Sequence, residues 1–384
     1  MTFDFDATID RRGTGSNKWT RYPADILPMW VADTDFAVAP AIVDAVRRRA
    51  EHPVFGYAVA QDSLRAQIVT ELRARFDWVI SPADIVLLPG VEPGFNMAMK
   101  AFLRPGDSIA VQTPIYRPIL RAPGHWGLTR RDIRLDPGAS GDWALDLAQF
   151  ETQMAGAGAF LLCNPHNPSG KVYSRTELLG IADICARHDA LIISDEIHGD
   201  LVFDGRVHTP IASLSPDIAR RTITLMAASK TYNIAGLKTA FAIITDPDIR
   251  VRFEAHRLGM VDSVNLFGLV ATEAALAGGA EWRDAQLAYL QANRDVLVET
   301  IRATMPGITL HAPQATFLAW LDCSALELGE EPHAFFLRHA KVALSAGNEF
   351  HETETKDFVR LNFGCTRATL LEGLDRMRQS LQRR

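Results

Sequence analysis

The sequence predicts an α/β fold, with a mainly parallel sheet covered by helices in a large domain and a smaller α+β domain beside it. Between about residues 84 and 245, short apolar runs alternate with helical patterns, as in sheets whose strands are buried on both faces. The first 45 residues and those after about 285 do not continue this alternation. At 384 residues the chain also exceeds the usual size of one hydrophobic core. We therefore expect a large domain over residues 46–285 and a small domain formed by residues 1–45 together with 286–384.

The expected strands of the large domain are continuous apolar runs rich in β-branched residues. They are DIVLLPG (84–90), SIAVQTP (108–114), FLLCNP (160–165), LIISDE (191–196), TITLMAAS (222–229) and FAIIT (241–245). A helical pattern, FNMAMKAFL (95–103), follows the first of them. This succession predicts strands and helices that alternate along the chain.

One helix can be placed closely, over residues 175–188. Ser174 precedes it and Glu177 completes a capping box, in which the two residues satisfy each other's free backbone amides. Leu178, Ile181 and Cys185 fall on one face of this helix. The loop NPHNPSG (164–170) therefore lies between a buried strand and a capped helix.

Several polar or glycine residues come directly after predicted strands. Ligands of open α/β sheets bind at the carboxyl ends of the strands, so we expect these residues to converge on one site. They are Gly90, Tyr116, Asn167, Asp195, Ser229 and Lys230.

Composition excludes some functions. The net charge of −6 gives no general basis for binding nucleic acid, and no apolar run is long enough to cross a membrane, so we expect a cytoplasmic protein. The four cysteines lack CxxC spacing, which indicates reduced thiols and no metal site.

Lys230 and Asp195 indicate the chemistry of the expected site. A lysine forms Schiff bases when a neighbouring cation or an apolar pocket lowers its pKa, and Lys230 follows an apolar run. Asp195 ends another such run, where a carboxylate needs a cation, and the protonated pyridine nitrogen of pyridoxal 5′-phosphate (PLP) is one. Taken singly, Lys230 could be a surface charge and Asp195 a helix cap. Together they predict a cofactor held as a Schiff base on Lys230.

Other candidates surround this pair. The Asn167 amide could donate to the phenolic oxygen of PLP, unless it only forms a turn. A phosphate group needs the amides of a helix N-terminus, a hydroxyl and a positive charge. The candidates for phosphate binding are Gly90, Val91, Glu92, Ser229 and Lys238. Of these, Lys238 alone would normally be a solvated residue.

Two further residues have both a functional and a structural interpretation. Tyr116 could stack on the pyridine ring, or it could be a half-buried core residue. Arg360 lies within the apolar run FVRLNFG, where a guanidinium needs an anion. That anion is either the α-carboxylate of a substrate or an internal carboxylate.

The order NPHNPSG, DEIH, SK, AGLK and RLNFG resembles the motif succession of fold-type I PLP enzymes in the class I/II aminotransferase family. The resemblance covers essentially the whole chain. It gives Asn167, Asp195, Lys230 and Arg360 the roles described above. Three positions depart from the family pattern. Ala227 replaces a second phosphate-binding serine, Lys238 replaces an arginine, and Glu92 is an unexpected acidic residue whose side chain would repel a phosphate unless it points away, so that only its amide is expected to bind.

The N-terminal pattern FDFDATIDRRGTGSNKWTRY, followed by LPMWVADTDF, is similar to the MalY/PatB subfamily of cystathionine β-lyases and other C–S lyases. DEIH supports this, since transaminating relatives often carry tyrosine in place of His198, and the resemblance places His198 among the cofactor-binding residues. The resemblance implies a homodimer in which Tyr57 reaches the phosphate bound by the neighbouring subunit. It also implies that Trp30 to Ala32 line the substrate pocket, although Thr34 stands where the pattern has methionine.

We therefore predict a PLP-dependent carbon–sulfur β-lyase that acts on cystathionine or a related cysteine S-conjugate. An aminotransferase is the first alternative, because the two reactions share their early steps. A PLP-binding regulatory protein with minor catalysis is the second. The sequence does not distinguish between the possible sulfur-containing substrates.

Overall fold

The computed structural model describes residues 3–138, 143–257, 259–261 and 263–383. The α-helices are α1 (Asn17–Thr20), α2 (Pro40–Glu51), α3 (Asp62–Phe76), α4 (Val91–Phe102), α5 (Arg117–His125), α6 (Leu147–Met154), α7 (Arg175–Arg187), α8 (Pro216–Ala219), α9 (Pro247–Ala255), α10 (Leu266–Gly278), α11 (Ala280–Thr304), α12 (Pro332–Phe335) and α13 (Arg367–Gln382). A π-helical turn, Phe336–Ala340, continues α12. None of the described helices is both long enough and apolar enough to span a bilayer.

The strands are β1 (Leu27–Pro28), β2 (Ile85–Leu88), β3 (Ser108–Thr113), β4 (Thr129–Arg134), β5 (Asp136–Pro137), β6 (Trp143–Ala144), β7 (Ala157–Cys163), β8 (Leu191–Asp195), β9 (Thr222–Met226), β10 (Ala240–Ile243), β11 (Thr309–Leu310), β12 (Leu318–Asp322), β13 (Val342–Ala343), β14 (Ser345–Ala346) and β15 (Phe358–Asn362). Each of the six predicted apolar runs overlaps one strand of the central sheet, although β7 and β10 begin before their runs. The predicted α/β fold class is confirmed.

The central sheet has seven strands in the order β2-β10-β9-β8-β7-β3-β4. Only β10 runs antiparallel to its neighbours, and the other pairs are parallel. The carboxyl ends of β2, β3, β7, β8 and β9 therefore lie at one edge of the sheet. This edge is where the sequence predicted the site.

Side chains of the central strands alternate between two helical layers, since successive residues of a strand point to opposite faces. Leu161 and Ile193 pack in the same apolar cluster as Phe95 of α4. Phe160 and Ile192, one residue earlier on the same two strands, pack in the cluster formed with α7. Both faces of the sheet are thus buried, which explains why its strands read as unbroken apolar runs.

The start of α7 matches its prediction closely. The Ser174 hydroxyl accepts a hydrogen bond from the Glu177 amide, and the Glu177 carboxylate accepts one from the Ser174 amide. Strand β4, in contrast, was not predicted. It is the edge strand of the sheet, and its sequence TRRDIR is half-exposed and charged, so it lacks the apolar signature of a buried strand.

A second, antiparallel sheet has the order β11-β12-β15-β14 and is formed by the C-terminal part of the chain. Strand β1 pairs in parallel with β13, which joins the N-terminal segment to this part of the molecule. The two boundaries predicted from the sequence fall inside continuous helices, α2 and α11. The division at residues 45/46 and 285/286 stays a prediction.

Candidate active site

A cavity of about 660 Å³ opens at the carboxyl edge of the central sheet. Its lining includes almost all of the predicted site residues, and most of them lie at or after the carboxyl ends of five strands of the central sheet. These are Ala32, Gly90, Val91, Glu92, Tyr116, Asn167, Asp195, His198, Ser229, Lys230, Lys238 and Arg360. Of the remaining predicted residues, Trp30 contributes its backbone carbonyl near the cavity, and Tyr57 lies outside it.

Lys230 follows β9 and points into the cavity. Its Nζ atom donates a hydrogen bond to the carbonyl oxygen of Ala32 at 2.7 Å. Burial, with the positive charge of Arg360 as the next cause, lowers the pKa of Lys230 to about 8. About a tenth of the amine is therefore unprotonated at pH 7, far more than for an ordinary lysine, as a Schiff-base lysine requires.

Asp195 is the last residue of β8 and is buried. Its Oδ1 atom accepts a hydrogen bond from the Ile197 amide at 3.1 Å. Burial nevertheless raises the pKa of the carboxyl to about 7, and the positive charge of Lys230 offsets only part of this effect. A further cation in the cavity would stabilise the ionised form of this carboxyl group.

Arg360 and Asn167 lie against each other in the cavity wall. The Arg360 Nη1 atom donates to Asn167 Oδ1 at 3.0 Å, which leaves the Asn167 Nδ2 hydrogens for another acceptor. Arg360 Nη2 donates to the Trp30 carbonyl at 3.0 Å and to the Ser345 hydroxyl at 3.2 Å. These partners are all neutral, so the internal carboxylate considered from the sequence is not among them.

The Arg360 guanidinium has unused capacity for an anion. Its Nε atom is buried without a hydrogen-bond partner among the described residues, and its charged group lies 4.9 Å from the ring centre of Phe350. Burial lowers the pKa of Arg360 to about 10. A carboxylate ligand would compensate the desolvation of this charge.

His198 lines the cavity beside Lys230 and is neutral. Burial, followed by the positive charges of Lys230 and Arg360, lowers the pKa of its imidazole to about 3. Its Nδ1 atom is buried and has no hydrogen-bond partner within the described ranges. The predicted assignment of His198 to the cofactor remains a prediction.

One end of the cavity has the features of an anion site. Gly90 precedes α4, and it lines the cavity together with Val91 and Glu92, whose first-turn amides have no partners inside the helix. Ser229 and Lys238 line this cavity too, and Lys238 is exposed. The Glu92 side chain is also exposed, and the favourable contribution to an anion comes from its amide.

The two predicted tyrosines lie in different surroundings. Tyr116 is half-buried in the cavity lining, and burial, reinforced by the negative charge of Glu92, raises the pKa of its phenol to about 12. Tyr57 is 94% exposed and lies on a separate surface beside Phe267. In a single chain Tyr57 therefore contributes nothing to the cavity.

One side of the cavity is formed by the wall segment, which we define as residues 29–36. It is neither helix nor strand, and Val31 and Ala32 face the cavity. Sequence reasoning missed the residues that hold this segment, chiefly Ser345 and Asn362. Asn362 stands two residues after Arg360 and could have been found, because alternate residues of a strand share a face.

The residues present fit PLP. The cavity combines a lysine of lowered pKa, a buried carboxylate of raised pKa and helix N-terminal amides, and these suit an aldehyde, a pyridinium and a phosphate respectively. The buried Arg360 Nε adds a donor for an anion, such as a substrate carboxylate.

The sequence model of the family described as "Aminotransferase class I and II" matches residues 25–377. The chain belongs to this family. Among curated members, it is 37% identical to "Cystathionine beta-lyase PatB" of Bacillus subtilis, over 98% of this chain and 100% of the relative. It is also 33% identical to "Protein MalY" of Escherichia coli, with 97% of each chain covered.

Solved structures of similar proteins share the fold over nearly the whole chain. The crystal structure of OvoB has a TM-score of 0.94 and 44% identity, with 99% of both chains covered. The PLP-bound putative aminotransferase of Clostridium difficile has a TM-score of 0.95 and 34% identity, covering 99% of this chain and 100% of its own. The fold is therefore the fold-type I architecture that the motifs predicted.

Proposed function

We propose that the protein is a PLP-dependent carbon–sulfur β-lyase. It carries out α,β-elimination on cystathionine or a related cysteine S-conjugate. Lys230, Asp195 and Arg360 line one cavity at the sheet edge, and this is the main support for the proposal. The similarity to a cystathionine β-lyase over the full chain length supports the choice of elimination.

Each part of PLP has a candidate partner in the cavity. Lys230 holds the aldehyde carbon, Asp195 pairs with the ring nitrogen, and the free Asn167 amide donates to the phenolic oxygen. The phosphate takes the amides of Val91 and Glu92, with Ser229 and Lys238 as further donors. Tyr116 packs on the ring as an uncharged phenol, because its raised pKa keeps it protonated.

When bound, PLP supplies an electron sink that stabilises negative charge at the substrate Cα. Arg360 binds the substrate α-carboxylate and so sets the orientation of the bonds at Cα. The Lys230 amine, once released by the incoming substrate, removes the Cα proton. The electron pair then forms the Cα–Cβ double bond as the Cβ–S bond breaks and the thiolate leaves. With one water consumed in hydrolysis, the products are the thiol, pyruvate and ammonium.

A homodimer completes the proposal. The stretch around Tyr57 exposes several apolar side chains together, with exposures of 61% for Val54, 58% for Phe55 and 83% for Val59. Grouped exposed apolar residues of this kind favour contact with another protein surface. A second copy of the chain would cover them and bring Tyr57 to the phosphate of the neighbouring cavity. Light scattering on the purified protein tests this assembly.

The reaction is tested with purified, PLP-loaded protein and L-cystathionine in the absence of any keto acid. We expect pyruvate and free thiol to appear in equal amounts. Turnover that starts only after a keto acid is added would instead make the protein an aminotransferase. If neither condition gives turnover, the regulatory alternative is tested by affinity capture of a protein partner.

A further inference from the structure

The carbonyl oxygens of the wall segment are held from outside the segment, one after another. Hydrogen bonds to so many successive carbonyls are unusual in a stretch that is neither helix nor strand, since such carbonyls have no regular partners. Each carbonyl of residues 29–34 accepts from a donor outside the segment, and these donors are, in order, Asn362 N at 2.9 Å, Arg360 Nη2 at 3.0 Å, Asn362 Nδ2 at 2.6 Å, Lys230 Nζ at 2.7 Å, Asn362 Nδ2 at 2.7 Å and Asn233 Nδ2 at 3.0 Å. Four of these carbonyls have a second donor, which is Ser345 Oγ for Trp30 at 2.7 Å, Asp33 N for Val31 at 2.9 Å, Lys18 Nζ for Asp33 at 3.2 Å and Arg11 Nη1 for Thr34 at 3.0 Å. The wall segment is therefore rigidly placed against Lys230.

Asn362 holds the carbonyls on both sides of Ala32. Its Nδ2 atom has two hydrogens, and the structure directs them to the carbonyls of Val31 and Asp33. Its Oδ1 atom accepts from the Gly364 amide at 2.7 Å, so every polar atom of this side chain has a partner. Asn362 is only 1% exposed. Asn362 is therefore the one side chain that joins the two peptide groups on either side of the Ala32 carbonyl, although each of these carbonyls also has a second donor, Asp33 N or Lys18 Nζ.

The Ala32 carbonyl points in turn to the Lys230 amine. A carbonyl oxygen can only accept a hydrogen bond, so this contact stabilises the protonated form of Lys230 more than the neutral form. The other charges that act on this amine are divided. Arg360 and Lys238 disfavour its protonation, whereas Asp33 and Asp195 favour it. The imidazole of His198, also nearby, is neutral.

We propose that Asn362 is a positioning residue that aims the Ala32 carbonyl at Lys230, and that this carbonyl holds the Lys230 amine while it carries the proton taken from Cα. The inference rests on the proposed role of Lys230 in the lyase reaction. It makes the wall segment part of the proton-transfer machinery as well as of the substrate pocket.

The test compares the wild type with two variants. Asn362→Ala removes both side-chain donors, and Asn362→Ser keeps one hydroxyl donor. The first measurement is the pKa of Lys230 in the cofactor-free full chain, from the pH dependence of its acylation followed by mass spectrometry. The second is the single-turnover loss of deuterium from Cα-deuterated cystathionine by the PLP-loaded enzyme. We expect Asn362→Ala to lower the Lys230 pKa and to slow deuterium loss by about 10- to 100-fold, because small displacements of a catalytic group are costly. Asn362→Ser should be intermediate.

The matched control is Asn233→Gly. The Asn233 amide also bridges two carbonyls of the wall segment, those of Thr34 and Phe36, but neither flanks Ala32. Glycine is chosen because Asn233 has a φ of 56°, which alanine would strain. We expect this variant to lose stability in urea unfolding while the Lys230 pKa and the rate of deuterium loss stay unchanged.

An unchanged Lys230 pKa in the Asn362 variants would overturn the inference, whatever happens to the rate. So would an equal slowing in Asn233→Gly, because it would show that only the general stability of the segment matters. If Asn362→Ala does not fold, Asn362→Ser alone decides. Failure of the proposed lyase function is recognised separately, since the wild type would then release no thiol.

Discussion

Two sides of the cavity are built in different ways. One side is the cofactor floor, which we define as Asn167, Asp195, Ser229, Lys230 and the first turn of α4. Each part of it lies at the end of a buried strand of the central sheet or begins within four residues after it, so its position is set by short stretches of sequence. The other side is the substrate wall, formed by the wall segment with Ser345, Arg360 and Asn362. It joins residues more than 300 positions apart, such as Trp30 and Arg360.

Because of this difference, the two sides of the cavity tolerate different substitutions. The cofactor floor is held by the backbone ladders of the sheet, so a side chain can be replaced there without moving its neighbours. The substrate wall is held largely by side-chain donors to backbone carbonyls, so one replacement there displaces the segment itself. We therefore expect substitutions in the cofactor floor to affect the chemical step, and substitutions in the substrate wall to affect the orientation of the substrate.

The largest effect is expected on the cofactor floor, from Lys230→Ala. Loss of the general base and of the covalent anchor should reduce pyruvate formation from cystathionine by at least about 1000-fold. The circular dichroism spectrum should stay unchanged, because Lys230 is held by a loop and not by the core. Retention of more than a small fraction of the activity would remove Lys230 from its proposed role.

In the cofactor-free protein, Asp195→Asn should remove the free-energy cost of burying an ionised carboxylate in the cofactor floor. Burial raises the pKa of Asp195 from 3.8 to about 7, so the unfolded chain releases this proton at lower pH than the folded chain. The group therefore stabilises folding below about pH 4, and this contribution is lost as the pH rises to about 7. The cofactor-free variant should be the more stable protein at pH 8, by up to about 4 kcal/mol in the free energy of unfolding.

Urea unfolding of both proteins at pH 4.5 and pH 8 measures this difference. Addition of PLP should reverse the order at pH 8, because only the wild type then gains a carboxylate–pyridinium pair. A stability difference that does not change with pH would contradict the assignment of the raised pKa to Asp195.

Arg360→Lys should affect the substrate wall much more than the cofactor floor, which it touches only through Asn167. Lysine keeps the charge but loses the planar pair of donors that suits a carboxylate and that also holds the Asn167 and Trp30 oxygens. We expect kcat/KM to fall by about 100-fold, with PLP affinity changed by less than about threefold. Steady-state kinetics and titration of the cofactor-free protein with PLP separate the two quantities. Equal losses in both would show that wall and floor are not independent.

The smallest effect is expected from Glu92→Gln at the anion end of the cavity. The Glu92 carboxylate is exposed at the N-terminus of α4, where its negative charge opposes the binding of a phosphate group. Removing it should tighten PLP binding by about 0.3–1 kcal/mol at low salt, with less effect at high salt. Weaker binding by the variant would mean that the side chain itself contacts the cofactor.

The sequence predicted the floor well because its signals are local. Asp195 and Lys230 could be placed at strand ends from the apolar runs that precede them, and the helix after Ser174 from its capping box. The edge strand β4 was missed because its half-exposed position permits a charged sequence. Tyr57 could be assigned only through the family resemblance, since nothing in its own chain brings it to the cavity.

The residue pattern alone predicted the α/β fold, the edge of the sheet at which the cavity lies, and most of the residues that line it. Periodicity and strand-end position encode these features within a few residues. Two contacts are visible only in the folded protein. The Ala32 carbonyl accepts from Lys230, and Asn362 donates to the carbonyls on either side of it. Those contacts depend on how a segment without regular structure packs against β15, and a backbone carbonyl leaves no mark in the sequence.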